Sequence, residues 1–162
     1  MKGKRLAVRS VPVMVLVILV TGCTVSVHAG YYKPSAGKTF VAAVGQPMKD
    51  LTAAASAAGQ SCAGGSRPDP ARCYADTTAE VRAVNLLEHV IRTTRAPASF
   101  GKANALMIRG LGMFASGLTQ RNQGLKSHSP SEYEAGDSLI TQSLRLQRTA
   151  FADYPAGSGL SP

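Results

Sequence analysis

Between Ala79 and Phe151 the apolar residues recur three and four positions apart, over three successive segments. That is the period of a helix with one greasy face. A chain with such stripes must bury them against one another, so its architecture is helix on helix. Phe100, Ala103, Leu106, Met107, Leu111, Phe114, Leu118 and Leu125 share one face of a helix expected from Phe100 to Lys126. Lys102, Arg109, Ser116, Gln120 and Gln123 oppose them.

The flanking helices carry their own signals. Thr77 and Glu80 have capping-box spacing, which predicts a helix start there. Ala79, Ala83, Val84, Leu86, Leu87, Val90 and Ile91 make its apolar face, Arg82, Asn85, Glu88, His89 and Arg92 its polar one, and Pro97 its end. The last helix has Ser129 as cap, Pro130 at its first position and Glu132 in its first turn. Tyr133, Leu139, Ile140, Leu144, Leu146 and Phe151 form its apolar face, and Pro155 stops it. The short link at Ser127–Ser129 makes the last two helices antiparallel neighbours.

Upstream, Pro47 to Ala58 reads as a weaker, Ala-rich helix with Pro47 first and Gly59 as stop. Lys38 to Val44 reads as a short strand within a linker. The expected fold is therefore mainly α: a small three- to four-helix bundle over residues 47–155. A disordered tail, residues 156–162, follows it.

The N-terminus reads as an address. Lys2, Lys4, Arg5 and Arg9 precede an apolar run from Val11 to Val20. Ten apolar residues fall well short of the about 20 that span a bilayer, so this is the pattern of an export signal. Val20-Thr21-Gly22-Cys23 follows and resembles a bacterial lipobox. The resemblance implies a signal peptide over residues 1–22 and a diacylglyceryl group, carrying fatty chains such as palmitate, on the Cys23 thiol. It implies a lipid anchor on the extracytoplasmic face of a bacterial membrane and a lipidated tether over residues 23–46. Two acyl chains hold a protein to a bilayer where one does not. Val27-His28-Ala29 offers a competing cleavage site that would release a soluble protein.

Cys62 and Cys73 remain as a pair around a Gly- and Pro-rich loop, which in an exported protein predicts a disulfide. Closing that loop contributes about 3 kcal/mol.

Charge narrows the partners. The chain has 18 basic and 9 acidic residues, but four of the basic ones lie in residues 1–22. Residues 23–162 keep 14 basic and 9 acidic side chains, a scattered +5. Nucleic-acid binding wants a dense basic stripe, so it is not expected.

No catalytic or metal-ligand set stands out. His28, His89 and His128 have no partners at ligand spacing, and no nucleophile elbow or phosphate loop occurs. An enzyme, a cofactor and a metal are not expected.

Two features ask for reasons. Gly110-Leu111, Gly117-Leu118 and Gly124-Leu125 recur every seven residues inside a helix, where each Gly costs up to about 1 kcal/mol against Ala. The Gly row serves tight packing within the bundle, a groove or self-association surface, or a helix that kinks. Arg121 falls on the apolar face, where it snorkels, pairs with Glu132, Glu134 or Asp137, or meets an anion. The function expected is binding: to an envelope protein or a second copy, or, alternatively, to an apolar or amphipathic ligand carried in a channel lined by Leu106, Met107, Leu111, Phe114 and Ile140.

Overall fold

The computed structural model describes residues 34–63 and 70–160. Cys23, the export signal and the competing cleavage site lie outside these residues. The described residues form four helices, α1 (Pro34–Ala63), α2 (Pro70–Thr93), α3 (Gly101–Ser127) and α4 (Pro130–Asp153), with a 3-10 turn at Ala98–Phe100 leading into α3. The chain runs up, down, up and down, a helical bundle with a disulfide across its α1–α2 end.

Proline opens three of the four helices, at Pro34, Pro70 and Pro130. Its missing N–H is one the first turn leaves unbonded anyway, and its fixed φ suits a helix. The structure departs from the sequence reading in three places. Lys38–Val44 is helix, not strand, and the expected tether is helical from Pro34 onward. Pro47 lies within α1 rather than at its start, and Gly59 does not stop it. Thr77 and Glu80 are not a cap: α2 begins seven residues earlier, and both side chains are buried mid-helix. The Thr77 hydroxyl donates back to the Cys73 carbonyl at 2.8 Å instead.

Burial explains why α1 crosses Pro47 although a proline inside a helix, through its missing N–H and its ring clash, costs about 3 kcal/mol. Phe40 and Val44 lie in the core before it, and Ala55 and Ala58 are buried after it. Both halves are thereby held against the same bundle.

The α4 cap is as read: the Ser129 hydroxyl accepts from the Glu132 N–H at 3.4 Å. Upstream, α3 ends at His128 in the left-handed region, φ 53°, with its N–H returned to the Gly124 carbonyl.

The core has two different ends. At one, the rings of Phe40, Phe100 and Tyr154 stack edge to face at 5.7 and 5.4 Å, and the Tyr154 hydroxyl donates to Asn104 Oδ1 at 2.7 Å. Burial pushes the Tyr154 hydroxyl pKa up to about 12. Leu160 packs against this cluster, so the tail expected to be disordered folds back as far as residue 160. At the other end Cys62 and Cys73 are disulfide-bonded with Cα atoms 4.7 Å apart, tying the end of α1 to the start of α2.

Consecutive helices pack closely; α1 and α4, which would close the ring, do not. Leu86 and Leu125, expected on apolar faces, are instead exposed at 49% and 42%. Each stripe is narrower than its periodicity suggests because each helix has only its chain neighbours to cover it.

Candidate functional site

The glycine row is spent inside the bundle. A Cβ at Gly117 would lie 2.8 Å from the Gly136 carbonyl oxygen, and one at Gly124 would lie 2.5 Å from the Tyr133 nitrogen. Gly136 on α4 returns the fit, its Cβ position being 2.6 Å from both the Gly117 oxygen and the Arg121 nitrogen. Real Cβ atoms do not sit this close to backbone, so α3 and α4 meet at a separation only glycine allows. Gly110 is more forgiving, since its nearest neighbour is the Gln147 side chain at 2.9 Å. Of the readings offered for the row, tight internal packing holds. Leu111 and Leu118 are buried beside it, whereas Leu125 is not.

The open place is elsewhere. Because α1 and α4 do not close on each other, a groove of about 160 Å³ runs between them and over α3. Its floor is Met107, Leu111 and Phe114. One wall is Met48, Leu51 and Ala55 from α1, the other Leu144 and Phe151 from α4, with Leu87 of α2 beneath. Three of the five channel residues anticipated from sequence, Met107, Leu111 and Phe114, therefore line it. Leu106 and Ile140 pack against the core without lining the groove. The α1 wall was missed. Met48, Leu51 and Ala55 do follow helical spacing, but a stripe becomes a groove wall only if the facing helix stands off, and that is a property of the whole bundle.

Polar atoms are few here. The Thr52 hydroxyl turns back to the Met48 carbonyl at 2.9 Å. Gln147 lies against Gly110, and Lys49 stands exposed at the rim. A smaller crevice continues from Met48 and Met107 toward Phe40, Tyr154 and Leu160. A dry apolar space of about 150 Å³ is known to hold a benzene-sized guest, so this groove has room for a ring or a segment of about six carbons.

A second cluster lies at the disulfide end. Glu80 is 3% exposed, and burial pushes its pKa to about 7 despite the Arg121 charge, which lowers it. Arg121 meets Asp137 Oδ1 at 3.7 Å, and its guanidinium stands 5.8 Å from the Tyr133 ring. Of the three acids considered for it, Asp137 is the ion partner across the turn. Burial nevertheless raises the Asp137 pKa, with Arg121 opposing. Arg121 Nε and Asn122 Oδ1 are buried without a hydrogen-bond partner. The cluster is a polar seam between helices, and none of its residues lines the groove.

His89 and Arg92 are exposed on the outer face of α2, where Arg92 pairs with Glu88 at 2.7 Å. Neither joins the groove. Among the described residues no three His, Cys, Asp or Glu side chains gather as metal ligands, and no helix is long and apolar enough to cross a membrane. No family model, curated protein or solved structure matches this chain.

Proposed function

We propose that the chain is a lipid-anchored extracytoplasmic protein whose helical domain binds the apolar part of a slender ligand in the groove between α1 and α4. The groove itself carries this reading: an open, almost wholly apolar space of about 160 Å³ in the described bundle. An unfilled space among apolar core side chains forfeits packing contacts that an apolar guest would restore. The address rests on the lipobox-like Val20-Thr21-Gly22-Cys23, and the Cys62–Cys73 disulfide supports an oxidising compartment outside the cytoplasm. A small carrier or sensor at the envelope, bound to the membrane through Cys23, fits both.

Binding of an envelope protein, or of a second copy, is the other reading. Tyr74 and Leu125 favour it, being exposed at the disulfide end with the Lys126 ammonium 4.8 Å over the Tyr74 ring. These are single side chains rather than a continuous face, so the groove is the stronger feature.

Calorimetric titration of the purified full-length chain with 1-octanol tests the groove. Six buried methylenes at about 0.8 kcal/mol each imply a Kd of about 0.3 mM. Ala55→Leu, which fills the groove from α1, should abolish the binding while keeping the helical circular dichroism. Absence of binding to the unmodified chain would sink the reading. For the address, labelled palmitate should be incorporated in bacteria by the chain and not by Cys23→Ala.

A further inference from the structure

Among the described residues the groove has one charged lining residue, and it is a cation. Lys49 stands at the rim on α1, while Met48, Leu51 and Ala55 of the same helix turn inward. On α4, Arg148 is exposed between Leu144 and Phe151, four residues after one groove residue and three before the other. That spacing puts it on the same side of the helix, toward the opposite rim. Among the described residues the lining holds no carboxylate. The nearest acid in sequence, Asp50, accepts from the Gln46 side chain at 2.7 Å, one turn back along α1. Two walls that are apolar inside and basic at the lip match a molecule that is apolar along its length and negative at one end.

Resting on the groove as a binding site, we infer that its ligand is a single-chain fatty carboxylate, with its tail on Met107, Leu111 and Phe114 and its head at Lys49. The tail supplies affinity through burial. The head supplies orientation, because a carboxylate costs far too much to bury and must stay where the ammonium and water are. A two-chain lipid is disfavoured by the size of the groove, which takes about six carbons of one chain. The crevice that leads on toward Tyr154 and Leu160 gives a longer tail somewhere to extend.

Competition between octanoate, 1-octanol and octylammonium on the full-length chain at pH 7.5 tests this. The three share a tail and differ in head charge. An exposed charge pair contributes up to about 1 kcal/mol, so octanoate should bind about three- to fivefold more tightly than octanol, and octylammonium more weakly than either. Lys49→Glu should reverse the order of octanoate and octylammonium, and Arg82→Gln on the outer face of α2 should leave it as it was. Equal binding of octanoate and octanol to the unmodified chain, or an order unmoved by Lys49→Glu, would overturn the carboxylate assignment while leaving the groove intact as an apolar site. Failure of all three to bind would instead remove the groove reading itself.

Discussion

The two faces of α4 have opposite designs. Toward α3 it offers Gly136, and α3 answers with Gly117 and Gly124, so the helices touch backbone to backbone. Toward α1 it offers Leu144 and Phe151, and α1 stands off. Both faces carry apolar side chains. One is closed by removing side chains, and at the other the large side chains of Leu144 and Phe151 line a groove that α1 does not fill. Hydrophobicity by itself therefore does not decide whether a face becomes core or cleft. The decision lies in whether the partner helix can come near enough. A domain built this way has one rigid hairpin, α3–α4, and one wall, α1, held at a distance by the disulfide at one end and the aromatic cluster at the other.

The contrast is broken most severely at Gly136. Gly136→Ala should cost about 2–4 kcal/mol in urea unfolding, even though Ala is the better helix former by up to about 1 kcal/mol. Its Cβ would face backbone on both sides, and only separation of the helices relieves that. A neutral result would mean the hairpin is not locked by close approach.

Removing the disulfide acts on the other side. The double variant Cys62→Ser/Cys73→Ser should lose about 3 kcal/mol and leave the end of α1 untied, so octanol binding should weaken as well.

Glu80 gives a pH readout of the seam between them. Unfolded, its carboxyl titrates near 4.5; folded, near 7. Below pH 4.5 both states hold the proton, and the contribution to stability is fully present. As pH rises toward 7 the unfolded chain releases the proton while the folded chain keeps it, so stability falls by up to about 3 kcal/mol and then levels off. Glu80→Gln should flatten that slope in denaturation measured between pH 5 and 8. A wild-type profile without the fall would contradict the burial assigned to Glu80.

The smallest effect sharpens the comparison from the opposite sign. Gly45 has nothing near its Cβ position and Gly112 only Glu88 Oε2 at 3.6 Å. Ala at either should raise stability by about 0.5–1 kcal/mol, measured by thermal unfolding. Glycines of one helix, α3, then divide into those pressed against backbone, such as Gly117 and Gly124, and those that are not, such as Gly112.

Much of the closed half was legible in sequence. Ser129, Pro130 and Glu132 mark the start of α4 by local chemistry, and the seven-residue Gly spacing marks the packed side of α3. The open half was not, because prolines are ambiguous. Pro34 and Pro70 begin helices while Pro47 sits inside one, and the choice among them is made by burial of Phe40 and Val44 rather than by the proline. Thr77 and Glu80 show the same limit: capping-box spacing looks alike at a helix start and in a buried helix middle. The groove was half anticipated, through Met107, Leu111 and Phe114. Its cause was misplaced, since the glycines expected to leave room are filled by α4 and the room comes from α1.

The methionines allow a direct look at the groove. Met48 and Met107 line it, and Met113, partly exposed on α3, does not. In a methyl spectrum of the chain labelled at methionine, saturating octanoate should shift the Met48 and Met107 signals and give contacts from both methyls to the ligand tail, with Met113 unmoved. Ligand contacts to Met113 in place of Met48 and Met107, or no shift at any of the three, would contradict an open apolar site between α1 and α4.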